Sequence, residues 1–396
     1  MRPNQLSRAT AIRTGPRRRP IAAVCVAIGL LAAACTPSLQ SPGKTSKISL
    51  VSSTTSNGYR FDFYRNTAYP CSISGYQTFT IATRVGSSAT ATKPLWVYMR
   101  GGGVGYFDDS GQPLDGGVNM TEESAAFLQD KMENVALTRL MTQQPAGYRA
   151  LAVSMCNRDV YGGPDIADPN NPNTTPDGRT RTVNGLFATK AAVQFTLATY
   201  PTDDYFLYGA SAGSAGAFHV AWALQRQGLA PAGIVADSAL INEAFERARY
   251  EQGLGGRTPD ETERIRQRLH SDITAIGNNP DQLVTDGRLT VPVLQVWVIN
   301  DGGGSVPMVC PLRNGSTATM GVIDCLHEPL RRAIVAQGPS SRSLNMRLCV
   351  DNPARAGACD LHVPTTVLNA RNTLAGVPAD FNPVIVEWVA ERLTDD

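Results

Sequence analysis

The most constraining feature of this chain is the stretch YFLYGASAG, residues 205–213. Large apolar residues lead directly into a run of glycine, alanine and serine, which is typical of a buried strand that turns sharply into a helix. Ser211 has a glycine two positions before it and another two positions after it, in the pattern G-x-S-x-G. A serine on such a turn has a strained backbone. Glycine is favoured two positions before and two positions after it, because the backbone there comes close to other atoms. The stretch therefore predicts that Ser211 is a nucleophile.

Ser214 is the second serine of the same stretch. It has Ala212 two positions before it and Gly216 two positions after it, and it already lies one turn into the predicted helix. The flanking residues and the strand-to-helix position therefore both favour Ser211. The alternative is structural, because runs of small residues also occur where a helix packs tightly on a sheet.

Strand-like and helix-like segments alternate along the chain. The predicted strands are 59–65, 75–85, 94–99, 148–155, 205–209, 233–238, 291–300 and 344–350. Helices are predicted at about 122–142, 183–199, 212–226 and 383–394. This alternation predicts an α/β fold with a mostly parallel central sheet flanked by helices, of the α/β-hydrolase type. Residues 239–288 are predicted to form a helical insertion late in the sheet, where a lid could sit.

The N-terminal residues 1–34 have the pattern of a secretory signal. Six arginines and no acid precede the apolar run 21–34, which is short for a membrane span. Ala-Ala-Ala-Cys ends the run and resembles a bacterial lipobox, with Cys35 as the lipidation site. We expect export, with a lipid anchor at the outer face of a bacterial membrane, or else plain secretion. Residues 35–57 are predicted to be a flexible tether, and 58–396 the catalytic domain.

Charge argues against a nucleic-acid partner. The whole chain has 36 basic and 34 acidic residues, and loss of 1–34 removes six of the basic ones and no acid. The mature chain is therefore mildly acidic, and no basic cluster survives that could hold a phosphate backbone.

The cysteines predict disulfides. Cys25 lies within the signal and Cys35 at its end, and an even number remains, which favours disulfides in an exported chain. The remaining six are Cys71, Cys156, Cys310, Cys325, Cys349 and Cys359. Pairing of neighbours gives 310–325 and 349–359 and leaves 71–156. No pair has CxxC spacing, so no metal site is predicted.

A glycine-rich segment, RGGGVGYFDD at 100–109, follows the predicted strand 94–99. Lipases and esterases place an oxyanion loop after this strand, where glycine allows backbone N–H groups to approach the reacting oxygen. Gly102 and Gly103, with the N–H of Ala212, are the predicted donors. A flexible turn is the bland alternative, and GGGVG fits neither common phosphate-binding pattern.

Four histidines compete for the role of the base. His219 lies two helical turns beyond Ser211 on the same helix, and His270 lies in the insertion. His362 follows the last predicted strand and precedes the last helix, where the chain order Ser, acid, His expects the base. His362 is therefore predicted, with His327 as the second candidate.

Two aspartates compete for the role of the acid. Asp301 ends the apolar run VPVLQVWVIND, and Asp237 ends the earlier strand GIVADS. Asp301 is predicted to orient the imidazole of His362, and Asp237 stays an open alternative. The set Ser211, Asp301 and His362 predicts acyl transfer to water through an acyl-enzyme.

No cofactor is required by this chemistry. The segment DPNNPNTTPDG, 168–178, is rich in oxygen ligands but lacks the spacing of an EF-hand loop. An irregular solvated loop is the preferred interpretation.

Several short blocks together resemble the pectin acetylesterase/Notum family of serine carboxylesterases. They are the strand with RGGG (94–103), SMCNRDVYGG (154–163), the helix and strand leading to YFLYGASAG (205–213), VADSALINEAF (235–245), ND (300–301) and CDLH (359–362). The resemblance covers about residues 58–395. It implies extracellular removal of an acyl group from a carbohydrate or a lipidated polypeptide, with the catalytic and oxyanion residues named above at the family's positions.

The chain also departs from that family. Val104-Gly105 stands where the family usually has Trp-Cys, which changes the wall beside the oxyanion loop and one disulfide. The expected function is an exported serine esterase acting on an O-acyl ester, with acetyl as the group and a carbohydrate as the carrier. The alternatives are a lipase or short-chain esterase with a lid at 239–288, and a non-catalytic surface binding module on a hydrolase scaffold.

Overall fold

The computed structural model describes residues 37–393 with several gaps, at Ser74, 115–121, 239–241, Ile276, 299–300, 302–305, Arg313, Arg347, 351–361, 367–369 and 373–380. The strands are β1 (Ile48–Ser56), β2 (Tyr59–Pro70), β3 (Tyr76–Arg84), β4 (Leu95–Met99), β5 (Arg149–Val153), β6 (Ile166–Ala167), β7 (Thr182–Val183), β8 (Tyr205–Ala210), β9 (Gly233–Asp237), β10 (Val293–Val298), β11 (Pro307–Pro311), β12 (Thr317–Gly321), β13 (Arg342–Met346), β14 (Leu348–Val350) and β15 (Ala370–Asn372). The helices are α1 (Ala125–Asn134), α2 (Ala136–Gln143), α3 (Gly185–Thr199), α4 (Ala212–Gln225), α5 (Glu243–Glu251), α6 (Pro259–Gln267), α7 (Ser271–Thr274), α8 (Pro280–Thr285), α9 (Val322–Ala336) and α10 (Phe381–Glu391).

Within the described residues, nine strands form one sheet in the order β1-β2-β3-β5-β4-β8-β9-β10-β13. β2 is antiparallel to its neighbours β1 and β3, and β3 is antiparallel to β5. From β5 to β13 all neighbours are parallel. This order, with a helix after nearly every parallel strand, is that of the α/β-hydrolase fold and confirms the predicted fold class.

The central strands alternate between two cores because successive side chains point to opposite faces of a sheet. In β4, Leu95, Val97 and Met99 belong to the core under α3, α4 and α9. Trp96 and Tyr98 of the same strand belong to the core under α1, α2 and α10. Strands buried on both faces read as continuous apolar runs, which is why these strands could be found in the sequence.

The prediction of a flexible tether over 35–57 is wrong where the structure describes it. β1 pairs with β2 along the edge of the sheet, although seven of its nine side chains are exposed. Before β1, Leu39 is fully buried, and the Lys190 ammonium donates to the carbonyls of Leu39 and Ser41 at 2.6 and 2.7 Å. Composition cannot show such pairing, because main-chain hydrogen bonds need no apolar side chain.

The helical insertion is present between β9 and β10, where α5 to α8 lie. α6 begins with a capping box of Thr258 and Glu261 and a proline in its first turn, which ties its N-terminal N–H groups to side chains. The predicted strand 344–350 is instead split into β13, in the main sheet, and β14, which pairs with β15. Among the residues described, no helix has the length and hydropathy that a bilayer crossing requires; the run 21–34 lies outside them.

Candidate active site

Ser211 lies on the turn between β8 and α4, as the sequence predicts. Its backbone has φ 52° and ψ −120°, in the left-handed region that costs energy for a residue with a side chain. The Ser211 N–H donates to the Asp237 carbonyl at 2.8 Å, and the Ser211 carbonyl accepts from Ser214 N–H at 2.8 Å. These bonds hold the strained turn at the carboxyl end of the sheet.

The flanking glycines are required by close backbone contacts. A Cβ on Gly209 would lie 2.2 Å from the Gly213 carbonyl oxygen, and one on Gly213 would lie 2.0 Å from the Met99 carbonyl oxygen. Ser214 is 1 % exposed inside α4, so it is not available to a substrate. The geometry therefore explains the G-x-S-x-G pattern around Ser211.

Three predicted side chains meet in one hydrogen-bonded chain. His362 Nε2 lies 2.9 Å from Ser211 Oγ, and His362 Nδ1 lies 2.6 Å from Asp301 Oδ2. Because a carboxylate only accepts, Nδ1 carries the proton toward Asp301, and Nε2 is free to accept from the Ser211 hydroxyl. Burial works against the charged ring, but the hydrogen bond and charge of Asp301 outweigh it and raise the pKa of His362.

Asp237, the competing acid, binds the loop that carries His362 rather than its ring. Its Oδ2 accepts from Thr365 N–H at 2.9 Å and from the Thr365 hydroxyl. Ser238 Oγ donates to Asp237 Oδ1 at 2.8 Å and accepts from Val363 N–H at 3.2 Å. Burial raises the pKa of Asp237 to about 6, although these donors lower it. Asp237 thus fixes the position of the loop.

The other histidines do not reach the nucleophile. His327, the second candidate, stacks on Trp297 with ring centroids 5.2 Å apart, and its Nδ1 lies 3.2 Å from Gln295 Nε2. Burial lowers the pKa of His327 to about 3 and that of His219 to about 4, so both rings are neutral. The ring of His270 instead contacts the carbonyl of Pro37.

The predicted oxyanion loop lies beside the serine. Gly102 and Gly103 follow β4 with φ of 138° and 73°, which glycine adopts without strain. Ala212 is the first residue of α4, so its N–H has no partner within the helix. Gly101, which sequence reasoning missed, makes the closest approach: a Cβ there would lie 2.7 Å from the Ser211 Cβ. The run of three glycines, Gly101 to Gly103, was the sequence feature from which Gly101 could have been predicted as part of the site.

These groups open into a pocket of about 340 Å³. Besides Gly103, Ser211, Ala212, Asp301 and His362, its wall contains Val104, Ala215, Phe245, Glu246, Arg249, Arg257, Val322, Ile323, Leu326 and His327. The insertion helix α5 and the helix α9 therefore form much of the wall. The charged residues of α5 carried no motif in the sequence and were not predicted.

Two of the three predicted disulfides are present. Cys71–Cys156 joins the end of β2 to the segment after β5, and Cys310–Cys325 joins β11 to α9 at the pocket wall. Cys349 belongs to β14, whereas Cys359, like Cys35, lies outside the described residues.

The loop at 168–178 is more buried than predicted. Asp168 is 6 % exposed, accepts from the Ser72 hydroxyl and pairs with Arg268 at 3.3 Å. Its carboxylate is therefore used inside the protein. Within the described part of the chain, no cluster of three or more His, Cys, Asp or Glu side chains could hold a metal ion.

No protein-family model and no curated protein sequence matches this chain. Among solved structures, it is similar to a thermostable esterase from Pseudomonas putida ECU1011, with 15 % identity over 88 % of this chain and 84 % of that one and a TM-score of 0.44. It is also similar to carboxyl esterase 2 from Tuber melanosporum, with 15 % identity over 90 % and 91 % and a TM-score of 0.45. An S-formylglutathione hydrolase from Agrobacterium tumefaciens has 12 % identity over 75 % and 89 % and a TM-score of 0.44. The fold assignment itself rests on the strand order of the sheet.

Proposed function

We propose that the protein is a serine carboxylic ester hydrolase. The observation that carries the proposal is the continuous hydrogen-bonded chain from Ser211 through His362 to Asp301, all three of which line one pocket. A base within hydrogen-bond reach of a hydroxyl, itself oriented by a carboxylate, is the arrangement that activates a serine.

The geometry assigns each group one step. Ser211 Oγ attacks the ester carbonyl carbon while His362 Nε2 takes the hydroxyl proton. The carbonyl oxygen becomes an oxyanion that accepts from the proposed donors, the N–H groups of Gly102, Gly103 and Ala212. His362 then gives the proton to the departing alcohol oxygen, which leaves an acyl-Ser211 ester. Water then attacks the acyl carbon while His362 takes its proton. The bond to Ser211 Oγ breaks, His362 returns the proton to that oxygen, and the carboxylic acid leaves.

For the substrate we propose a short O-acyl ester, with acetyl as its simplest member and a carbohydrate as its carrier. Support comes from the resemblance of the short sequence blocks to the pectin acetylesterase/Notum family. The same oxyanion and triad positions serve any short acyl group, because the acyl carbon is all that Ser211 must reach.

We further propose that the enzyme works outside the cytoplasmic membrane, anchored through lipid on Cys35 or secreted. The pattern of 1–34 supports export, and the two disulfides suit an oxidising compartment.

The test is labelling of the mature protein with a fluorophosphonate probe, followed by peptide mapping. We expect the label on Ser211, and acetate release from acetylated oligosaccharides faster than release of long acyl chains. Label on Ser214 would overturn the assignment. Absence of both label and hydrolysis would favour the non-catalytic binding module, and preference for long chains would favour the lipase.

A further inference from the structure

The wall of the Ser211 pocket contains two arginines that share one carboxylate. Arg257 Nη1 lies 3.1 Å from Glu246 Oε1, and Arg249 Nη1 lies 3.7 Å from Glu246 Oε2. The three side chains are between 13 % and 27 % exposed. Two guanidinium groups therefore share one carboxylate in a partly desolvated wall of the Ser211 pocket, where charged groups are normally paired.

The same region also has unused hydrogen-bonding capacity. The Nε atoms of Arg249 and Arg257 are buried and have no hydrogen-bond partner among the residues described, and the same holds for Thr262 Oγ1. Buried polar groups are nearly always satisfied, so these atoms show that pairing within the cluster is incomplete among the residues described. Because the Nε atoms are closed to solvent, a ligand in the pocket would meet the outer guanidinium N–H groups of the two arginines. Outer guanidinium N–H groups suit a planar oxygen acceptor, and their positive charge suits an anionic one.

Glu246 and Arg257 line two cavities, whereas Arg249 lines the Ser211 pocket but not the second cavity. A second cavity, of about 60 Å³, shares Ala215, Glu246 and Arg257 with the Ser211 pocket, but neither Asp301 nor His362 lines it. Ala215 is one helical turn beyond Ser211 on the same face of α4. The departing alcohol must stay near His362, which protonates it, so the part of the pocket along α4 is left for the acyl group.

We propose that Arg249 and Arg257 form an acyl subsite that selects an acyl group ending in a carboxylate, as in the half-ester of a short dicarboxylic acid. The inference rests on the proposed esterase function and deepens it. A carboxylate placed there accepts from the outer guanidinium N–H groups of Arg249 and Arg257. An acetyl group fills only the part nearest Ser211.

The experiment compares kcat/KM for the para-nitrophenyl half-ester of glutaric acid with that for its neutral carboxamide analogue. We expect the mature protein to favour the acid by about tenfold or more at low salt, as charge-assisted hydrogen bonds do. Arg257→Gln should remove the preference, and Glu246→Gln should increase it. Rising ionic strength should reduce it.

A matched control comes from α9. There Arg331 and Arg332 share Glu328 in the same way, at 2.5 and 3.0 Å, away from Ser211; Arg332→Gln should leave the preference unchanged. Hydrolysis of para-nitrophenyl acetate and fluorophosphonate labelling report whether each variant is folded.

The outcomes separate the two proposals. Normal acetate hydrolysis without preference for the acid, or a preference that survives Arg257→Gln, overturns the subsite and leaves the esterase intact. Loss of labelling and of all hydrolysis in the unmodified protein overturns both.

Discussion

The ends of the neighbouring strands β9 and β10 each deliver an aspartate to the site, and the two do different things. Asp237 is the last residue of β9, is fully buried, and binds Thr365 in the loop that carries His362. Asp301 lies three residues beyond β10 and binds the His362 ring itself. An aspartate at the end of a strand can thus be assigned to the site from its position in the sequence. Whether it contacts the His362 ring depends on how far beyond the strand it lies.

The different roles of the two aspartates matter only if His362 is the base for Ser211. Removing the Ser211 hydroxyl should therefore have the largest effect on activity. Ser211→Ala removes the attacking oxygen, so we expect kcat to fall by at least about a thousandfold. Ester hydrolysis and fluorophosphonate labelling measure it. Ser214→Ala is the control and should keep most activity, because that side chain is 1 % exposed inside α4. Equal loss in both variants would refute the choice of Ser211.

Replacing each aspartate by asparagine should reduce kcat by very different factors. Asp301→Asn leaves an amide that no longer fixes the Nδ1–H tautomer of His362, so we expect a loss of about 10³ to 10⁴ in kcat. Asp237→Asn keeps an oxygen that can accept from Thr365, so we expect a loss of about tenfold or less. Steady-state kinetics on an acetyl ester measure both. An Asp237→Asn variant as impaired as Asp301→Asn would make Asp237 the functional acid.

The contact between Asp301 and His362 should also determine how activity depends on pH. Because the pKa of His362 is raised above its ordinary value of 6.5 through Asp301, the base becomes neutral only above that pH. We expect kcat/KM to rise with pH through an apparent pKa above 6.5 and to level off at higher pH. Asp301→Asn removes the charge that favours the imidazolium, so the residual activity should rise at lower pH. A pH profile that does not move in this variant contradicts the contact.

The position of Ser211 could be predicted from the sequence because the local backbone geometry requires particular residues around it. Gly209 and Gly213 are each required by contact with a carbonyl oxygen, and an apolar run marks the preceding strand. Asp301 and His362 could be placed only by chain order and elimination, yet the structure brings them together. That they act as a catalytic set stays a prediction.

Other features leave no local trace. Glu246, Arg249 and Arg257 reach the pocket from the insertion, and a charged helix with that composition is ordinarily solvated. β1 is likewise hidden, because most of its side chains are exposed and its pairing with β2 is mainly through the main chain. Long-range packing decides both, and neither periodicity nor composition reports it.

The smallest effect tests the burial of Asp237 itself. Burial raises its pKa to about 6, against an ordinary 3.8. As pH rises from about 4 to about 6, the unfolded chain therefore loses this proton before the folded one does. The free energy of unfolding should fall over that window, by up to about 3 kcal/mol for this group.

Asp237→Asn should remove the pH-dependent contribution of this group to the free energy of unfolding. Between pH 4 and 6, the melting temperature of the variant, measured by circular dichroism, should therefore fall less than that of the unmodified protein. Asp159, whose pKa burial also raises to about 6, is the matched control. It binds the Gly185 N–H at 2.8 Å, at the start of α3. Asp159→Asn should change the same pH window while leaving His362 and its pH profile unaltered. Parallel melting curves for the unmodified protein and Asp237→Asn would show that Asp237 is ionised throughout, and its bonds to Thr365 would then be those of a carboxylate.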